Sequence, residues 1–565
     1  NSAIGAPVSP PDPTNCIIAT VPETNLQLQC CPPSPVIDYE LPPLDTLIRI
    51  RPAAHLVSDE YIAKYKEAVR LMKALPDDDP RNFTQQANVH CAYCDGGYLQ
   101  KGFPDREVNV HASWLFSPFH RWYLYFYERI LGSLIGDPTF ALPFWNWDNP
   151  PGMEIPAFFT DEHSPLYDPL REARHQPPTL VDLNYDPDHD HSGGDREKQI
   201  HINLVTMYRQ FVARGKSPSL FHGLPYRAGC LPQPGYGTLE TTHNHIHNWT
   251  GDSTQPNGEN MGVLYSAARD PIFFAHHSNV DRIWNIWKTE IPGGRRKDFT
   301  DDDWLESSFF FYDENKNYVR VKVKDSLDSR KLGYDYQHVD IPWLTARFKP
   351  KYLVPRLGAK QAFNFKTLRF PLTLNSTERS IVNRPKLQSR NKGVKEEVLV
   401  IDIDYDRSEG VKFDVFINDQ GDDQIGPDNS EFAGSFMTLP HSHVHGNKMI
   451  NTSFRLAITD LLKDLEVKDD DGIVVTLVPK YGKKPVTVKD IKIKLLLITP
   501  SEDMMFLKCV FCDMRVLPLG PGFKPVMEMD IGKSNVDIQY SAPEKVQDTS
   551  RLHTTVSCTT LQKFD

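Results

Sequence analysis

The stretch DPIFFAHHSNVDRIW, residues 270–284, decides the fold of the N-terminal part of this chain. It predicts a buried helix that begins near Pro271, because proline suits the first helical position and the following residues are apolar and aromatic. His276 and His277 stand near the start of this helix. A single buried histidine is usually a satisfied core residue, so the number and placement of further histidines decide what this pair means.

A second histidine cluster lies in ETTHNHIHNWTG, residues 240–251. His243 and His247 are four residues apart, so on a helix they share one face and can hold one ion together. His245 stands between them. Two clusters of histidines in aromatic sequence favour a metal site over ordinary core packing.

Three more histidines lie upstream, within apolar and aromatic stretches of sequence: His90, His111 and His120. The last of these lies in PFHRWYLYFYERILGSL, which predicts a long helix from about Pro118 to Leu134. Because this helix is apolar nearly all round, we expect it to be buried. The upstream histidines would then face the downstream ones inside one helical core.

The type of ligand indicates which metal the histidines would bind. Zinc enzymes often use three histidines, whereas non-haem iron usually takes a carboxylate as its third ligand. An all-imidazole set suits copper, which also binds most tightly among the divalent first-row ions. Two facing triads that each hold copper could deliver two electrons to O2, so we predict two copper ions per chain with O2 as the co-substrate.

The C-terminal half has a different pattern. From about Glu397, segments such as VLVIDIDYD and VKFDVFIND alternate with period two and predict an all-β sandwich. We therefore predict a mainly α, helical-bundle catalytic domain over 1–340 and a sandwich over 396–502. The basic, Pro-containing segment 341–395 is interpreted as a protease-sensitive linker, and 503–565 as a tail of unclear structure.

Composition excludes several classes of protein. The 565 residues carry a formal net charge of −11, which argues against nucleic acid or an anionic membrane as the main partner. No apolar run is long enough to span a bilayer. The Pro-rich start, residues 1–15, has no charged-then-apolar signal pattern, so we interpret the chain as a mature form.

Nine cysteines are present, and four of them lie within the first 91 residues. Adjacent cysteines such as Cys30 and Cys31 rarely bond to each other. Separate disulfide partners, and hence an oxidising compartment, are favoured over free buried thiols. The pair Cys509 and Cys512 forms a lone CxxC, for which packing is favoured over a redox pair or half a zinc site.

Five motifs in this order, HCAYC, FHRWYLYFYER, PFWNWD, HNHIHNWTG and DPIFFAHHSNVDRIW, resemble the plant polyphenol oxidases, the tyrosinase and catechol oxidase family. The likeness runs from about residue 14 to at least residue 500 and includes KFDVFIND and FAGSFMTLPH of the C-terminal domain. It implies a type-3 dicopper enzyme that oxidises o-diphenols to o-quinones with O2, and that hydroxylates monophenols.

The resemblance also implies ligands and cross-links. Copper A would be held by His90, His111 and His120, and copper B by His243, His247 and His277. His276 and His245 would be neighbours, with a ligand role for His245 as the alternative. Cys94 would form a thioether bond with His111, and the family disulfides map to Cys16–Cys31 and Cys30–Cys91.

Residues around the coppers are implied in the same way. Glu240 and Asn244 would hold a water that takes the proton of a monophenol, unless Glu240 only stabilises a helix N-terminus. Leu264 would overhang copper A as a substrate gate or simply belong to the core, and Asn248 would tune substrate choice.

Three further assignments are structural. Tyr334 and Tyr336 match the tyrosine motif that closes the catalytic domain, and Arg51 is expected to pair with it. Asp281 would either orient His277 or pair with Arg282 or a neighbouring helix. The HSHVH run beginning at His441 suggests surface or interdomain packing more than a metal patch.

The resemblance finally implies regulation and location. The sandwich would cap the copper site and keep the full chain latent until an activating protease cuts the linker. Small phenols and O2 would be the other partners. We expect a plastid enzyme of the thylakoid lumen, with the vacuole or secretion as the alternative. A hemocyanin-like O2 carrier, without turnover, is the competing function.

Overall fold

A computed structural model gives the fold. It describes residues 6–9, 19–20, 27–28, 36–43, 48–190, 193–292, 296–348, 367–386, 395–419, 426–441, 448–467 and 470–498. These residues belong to one compact unit that spans Asn1–Ile498. The predicted tail and the CxxC motif lie outside them. No helix in the described ranges is long and apolar enough to cross a bilayer.

Helices supply most of the framework around the histidines. In chain order they are α1 Asp59–Lys73, α2 Phe83–Cys94, α3 Phe116–Leu134, α4 Arg196–Met207, α5 Pro218–Phe221, α6 Thr238–Thr250, α7 Ile272–Thr289, α8 Asp302–Leu305 and α9 Thr459–Asp464. A π-helix, Tyr208–Arg214, directly continues α4.

The helix ends follow local sequence rules. Ser58 caps α1 by accepting a hydrogen bond from the backbone N–H of Tyr61 at 3.3 Å. Asp195 caps α4 in the same way through Lys198 at 3.1 Å. The central helix α3 begins at Phe116, two residues before the predicted start, and is buried along nearly its whole length.

Short strands tie the helical part together. They are β1 Ala19–Thr20, β2 Gln27–Leu28, β3 Val36–Asp38, β4 Arg49–Arg51, β5 Leu99–Gln100, β6 Phe103–Glu107, β7 Ser308–Tyr312, β8 Tyr318–Lys322 and β9 Tyr334–Tyr336. The pairing of β4 with β9 is parallel and sets Arg51 beside Tyr336. The pairing joins the N-terminal strand Arg49–Arg51 to Tyr334–Tyr336, at the end of the catalytic part.

The C-terminal part is a sandwich of two antiparallel four-stranded sheets, in the orders β10-β17-β12-β15 and β11-β16-β13-β14. The strands are β10 Leu372–Leu374, β11 Glu378–Asn383, β12 Lys395–Asp406, β13 Lys412–Ile417, β14 Phe432–Met437, β15 Met449–Ala457, β16 Gly472–Tyr481 and β17 Val486–Leu497. Both sheets contribute to one apolar core, as a two-layer sandwich requires.

The sandwich begins earlier than the sequence pattern indicated. Strands β10 and β11 lie inside 341–395, the range interpreted as linker, and pair with β17 and β16. Each supplies one strand to one sheet, so residues 372–383 are part of the sandwich. The linker interpretation is wrong for them, because both strands are short and lack a long alternating pattern.

The apolar core of the sandwich extends into the catalytic part. Ala112 and Tyr236 are buried in the same cluster as Tyr405 and Phe436. The rings of Tyr236 and Phe436 meet edge to face at 5.6 Å, a geometry that contributes roughly 0.5–1.5 kcal/mol beyond area burial. Since Ala112 follows His111 directly, the sandwich packs against backbone next to the predicted metal site.

Candidate metal centre

Three histidines from α2, from the loop after β6 and from α3 form the A triad: His90, His111 and His120. Their ring centroids are 5.5–5.6 Å apart, and all three side chains are buried. Their ligand atoms, with the sulfur of Cys94, lie within 4.8 Å of one another. The fold thus gathers residues far apart in sequence into one potential ligand set.

Hydrogen bonds orient each ring of the A triad. Nδ1–H of His90 donates to the carbonyl of Leu264 at 2.9 Å, and that of His120 to the carbonyl of Phe116 at 2.8 Å. Nδ1–H of His111 donates to the carboxylate of Glu240 at 2.8 Å. Acceptors on Nδ1 leave the lone pair on Nε2, which is the usual arrangement of metal-binding histidines.

The three Nε2 atoms of the A triad are buried and have no hydrogen-bond partner among the described residues. Buried polar nitrogens without partners are costly and need an explanation. Three converging imidazole lone pairs provide it, because a metal ion would satisfy all of them at once. The donor set therefore fits a bound metal.

The B triad comes from α6 and α7: His243, His247 and His277. Nε2 of His277 lies 3.2 Å from Nε2 of His243 and 3.2 Å from Nε2 of His247. Nitrogens that each bind one tetrahedral ion at about 2.0–2.1 Å lie roughly 3.3 Å apart. The observed spacing fits a shared ion, and Nδ1–H of His247 is fixed by the carbonyl of Met261 at 2.7 Å.

The remaining histidines of these stretches have other partners. His276 belongs to the same close group as the B triad, but its Nδ1 accepts a hydrogen bond from the indole of Trp147 at 3.2 Å. Since an indole can only donate, neutral His276 carries its proton on Nε2. His245 donates from Nδ1 to the carbonyl of Thr241 at 2.9 Å and lies outside both groups.

Burial keeps the imidazoles neutral. Desolvation lowers the pKa of His90, His120, His243 and His277 well below the ordinary value, with neighbouring histidines adding to the effect. The pKa of His247 is lowered to about 3, mainly by burial. A neutral imidazole is the form that binds a metal, so these five histidines are ready for ligation at neutral pH.

The two triads face each other directly. The rings of His120 and His277 are stacked, with centroids 4.2 Å apart and planes inclined by 13°. Phe116 lies against His120 at 4.6 Å and His243 at 4.8 Å. Phe273 lies against His277 at 4.1 Å and His90 at 4.9 Å.

Phe116 and Phe273 shield both triads, and sequence reasoning did not single them out. In a chain rich in buried aromatics, nothing in the local sequence separates these two from ordinary core residues. Trp147, which fixes His276, lies in the PFWNWD motif but was equally without a predicted role.

The structure assigns Glu240 a different place from the one expected. Its carboxylate accepts from His111 and from the backbone N–H of Ala112 at 2.8 Å, and burial raises its pKa. The described contacts do not join it to Asn244. Glu240 turns towards the A triad, and its expected role of holding a water together with Asn244 stays a prediction.

Asn244 instead bridges the B triad and the sandwich. Its side-chain oxygen accepts from Nδ1–H of His243 at 3.0 Å, and its side-chain nitrogen donates to the carbonyl of Met437 at 2.8 Å. Asn248 donates to the backbone carbonyl of Asn244 at 3.1 Å. Leu264 is buried, and its backbone carbonyl accepts the hydrogen bond from His90 of the A triad.

The structure describes two of the cysteines that were predicted to form cross-links, Cys91 and Cys94. Cys94 is a buried thiol in the A group, so it is close to His111, and the thioether bond itself stays a prediction. Cys91 is buried on α2. The other disulfide cysteines, at positions 16, 30 and 31, lie outside the described residues.

Asp281 links helices instead of orienting His277. Its carboxylate accepts from Nε–H of Arg121 at 2.5 Å and from the hydroxyl of Tyr334 at 2.6 Å. Tyr336 donates to the same carboxylate. Of the two expectations for Asp281, the one of pairing with a neighbouring helix describes what is seen, whereas Arg282 pairs with Asp148 at 3.2 Å.

Arg51 completes this buried group. Its guanidinium lies 3.7 Å from the ring centre of Tyr334 and donates to the hydroxyl of Tyr336 at 3.0 Å. Its Nε–H also donates to Glu128 at 2.8 Å. The tyrosine motif and the N-terminal arginine are therefore in contact, on the side of α7 that carries Asp281.

Sequence comparison identifies the family. The chain matches the common central domain of tyrosinase over residues 80–290, the polyphenol oxidase middle domain over 298–349 and the chloroplastic polyphenol oxidase C-terminal domain over 370–495. It is 54% identical over 512 residues to the chloroplastic polyphenol oxidase of Malus domestica, covering 87% of this chain and 85% of that protein. This chain belongs to the plant polyphenol oxidase family. It is thus an enzyme of a copper oxidoreductase family.

Two further comparisons support this family assignment. It is 52% identical over 500 residues to the aureusidin synthase of Antirrhinum majus, covering 86% of this chain and 89% of that one. Among solved structures, latent apple tyrosinase superposes with a TM-score of 0.76 at 54% identity, covering 82% of this chain and all of that chain. The likeness includes the sandwich as well as the histidine helices.

The sandwich of this polyphenol oxidase also contacts the A side. Nε2 of His441 accepts from the side-chain amides of Asn109 at 2.8 Å and Gln233 at 2.6 Å. Asn109 in turn accepts from the backbone N–H of His111 at 2.9 Å. His441, the first histidine of HSHVH, therefore serves interdomain packing, and the other two, at 443 and 445, lie outside the described residues.

Proposed function

We propose that the chain is a type-3 dicopper polyphenol oxidase that oxidises o-diphenols to o-quinones with O2 and hydroxylates monophenols. The observation that carries this proposal is the 4.2 Å stack of His120 on His277, which joins two triads of buried imidazoles. The helices α2, α3, α6 and α7, together with the loop that carries His111, would hold copper A on the A triad and copper B on the B triad. When bound, the two coppers supply two-electron redox chemistry with O2.

The protein's own residues prepare this chemistry. Nδ1 hydrogen bonds fix the ligand rings before any metal arrives, which lowers the cost of reorganisation. Phe116 and Phe273 exclude water, so that charge interactions at the site are stronger than in solution. Glu240 positions His111 and has a raised pKa, which also suits it to accept a proton.

Substrate choice is expected to depend on the entrance. Asn244 and Asn248 lie on α6 beside the B triad, and Leu264 belongs to the segment that holds His90. Among the relatives, one is named aureusidin synthase and another (+)-larreatricin hydroxylase. The two names differ, so we propose that members of this family differ in the phenol they use.

The full chain is proposed to be latent. Met437 and Ala112 mark two places where the sandwich reaches residues adjacent to metal ligands. A cover in this position excludes phenols and leaves the histidines intact. Cleavage between Phe348 and Leu372, before the first strand of the sandwich, would begin its release.

The same relatives bear on location. Several are named chloroplastic, which supports a plastid enzyme, and we propose the thylakoid lumen as its compartment. Fractionation of plastids with an antibody against the chain tests this, and recovery in the vacuole or outside the cell would contradict it.

Oxygen uptake tests the proposed reaction. The copper-loaded chain is assayed with catechol and with a tyrosine-like monophenol, before and after cleavage in the linker, at equal copper. We expect quinone formation with both substrates and a higher rate after cleavage. Binding of O2 without quinone formation would favour the carrier alternative, and an unchanged rate after cleavage would contradict latency.

A further inference from the structure

A small cleft between the catalytic part and the sandwich holds two buried arginines. Arg209 and Arg214, on the π-helix, are 8% and 5% exposed. Neither forms an ion pair with a carboxylate in the part of the chain that the structure describes. Burying a charge without a partner is strongly unfavourable, so this pair needs an explanation that the oxidase chemistry does not supply.

The described hydrogen-bond partners of the two arginines are neutral, and the guanidinium of Arg209 also lies 5.0 Å from the ring centre of Phe348 and 5.6 Å from that of Phe432. Arg209 donates to the carbonyls of Pro427 at 2.7 Å and Asn429 at 2.9 Å, both in the sandwich. Arg214 donates to the side-chain oxygen of Gln210 at 3.1 Å. A guanidinium carries five N–H donors, so most of the donor capacity of Arg214 is left over.

Gly434 makes room for Arg214. A Cβ atom at this position would come within 2.6 Å of Nη1 of Arg214, closer than real contacts allow. The absence of a side chain on β14 thus lets the arginine head reach the sandwich. Both arginines stay positively charged at neutral pH, because burial lowers the pKa of Arg214 only to about 9 and that of Arg209 only to about 10.

The carboxylates around the cleft are already neutralised by other cations. Asp464 pairs with Arg347, and Asp460 pairs with Lys216 at 2.7 Å. Asp464, Glu431 and Asp428 lie near enough to favour the charged form of Arg209, whereas the charge that acts on Arg214 is the like charge of Arg209. The positive charge of Arg214 is therefore the one left without a balancing carboxylate among the described residues. The cleft has a volume of about 40 Å³, room for about three water molecules or one small ion.

We propose that this cleft binds one small inorganic oxyanion of the phosphate or sulfate type, held by Arg209 and Arg214. A compact dianion balances two guanidinium charges and matches their planar donor forks. Bound there, it bridges the π-helix and the sandwich. The anion would therefore stabilise the arrangement in which the sandwich lies over the metal centre.

Calorimetric titration of the copper-loaded full chain tests the site. Inorganic phosphate and sodium sulfate are titrated separately at pH 7 and fixed ionic strength, with chloride as the balancing ion. We expect one saturable site and identify the preferred anion from the two affinities. Arg214→Gln should weaken binding at least about tenfold, because a hydrogen bond to a charged group is lost. Arg330→Gln, at an exposed arginine, is the matched control and should leave binding unchanged.

Three results would overturn the proposal. They are no saturable binding of phosphate or sulfate to the wild type, the same affinity in Arg214→Gln as in the wild type, or chloride binding as tightly as the oxyanion. If Arg214→Gln fails to fold by circular dichroism, Arg347→Gln decides. That side chain is half exposed and lines the cleft, so its replacement removes a positive charge from the wall of the site. Unchanged affinity in Arg347→Gln would then refute the site. These readouts do not depend on oxidase activity.

Discussion

The side-chain amide of Asn244 donates to the carbonyl oxygen of Met437 at 2.8 Å, while its oxygen accepts from the B-triad ligand His243. One residue thus couples a ligand ring to a strand of the sandwich. The contact gives the sandwich a direct link to the residue that orients His243.

Replacing Asn244 tests whether it contributes to the deprotonation of a monophenol or only holds His243. In the linker-cleaved enzyme, Asn244→Ala should lower the ratio of monophenol to diphenol turnover by about tenfold or more, because it removes an amide predicted to hold the proton-accepting water, and positioned proton transfer contributes roughly 10²–10⁴-fold. Initial rates on a matched monophenol and o-diphenol check this. His245→Ala, a change at a buried residue of the same helix outside both triads, is the control. An equal loss on both substrates would show that Asn244 only holds His243.

Metal content distinguishes the histidines of α6. His247→Ala should reduce copper from two equivalents to one and abolish activity, because it removes one of three B-triad nitrogens. His245→Ala removes an equally buried histidine outside the triads and should retain two equivalents. Elemental analysis with circular dichroism measures both. Two equivalents in folded His247→Ala would refute the B triad.

The carboxylate of Glu240 is expected to act on copper A. Glu240→Gln should weaken binding of that copper by about 10–100-fold, the usual cost of losing a partner of a metal-bound histidine. Competition with a copper chelator measures it. Asp281→Asn, a buried carboxylate change away from the triads, is the control for general destabilisation. Unchanged affinity in Glu240→Gln would limit the residue to holding the Ala112 backbone.

The sequence predicted the histidine clusters and the sandwich well, because both depend on local spacing. It missed what depends on long-range contact. The direction in which Glu240 turns is decided by the backbone of Ala112, about 130 residues away along the chain. Strands β10 and β11 were missed for a related reason, since their partners β17 and β16 lie about a hundred residues downstream.

Alkylation tests the thioether bond between Cys94 and His111. After full unfolding and reduction, Cys94 should resist iodoacetamide and its peptide should stay joined to that of His111, with two hydrogens fewer in mass. Cys230, a partly exposed free thiol, is the internal control and should be alkylated completely. Full alkylation of Cys94 would show that the bond is absent and leave an oxidisable thiol at the site.

The contact of His441 with Asn109 and Gln233 should weaken in acid. Burial lowers the pKa of His441 well below 6.5, and the charge of Arg407 adds to the effect. Both amides present N–H groups to Nε2, because the oxygen of Asn109 is engaged by His111 and that of Gln233 by Tyr405. A proton on Nε2 would face donors only.

The sign of the pH effect follows from linkage. A histidine with a lowered pKa binds fewer protons in the folded state than in the unfolded one, so its contribution to stability is complete above about pH 6.5 and declines as the pH falls. The slope is at most about 1.4 kcal/mol per pH unit. Denaturant unfolding of the copper-saturated chain between pH 5 and 7.5 should therefore be steeper in pH than that of His441→Gln, which keeps an acceptor but cannot titrate. His163→Gln, at an exposed histidine, should follow the wild type. Parallel profiles for the wild type and His441→Gln would show that acid weakens the chain through other groups, with His441 a passive part of the interface.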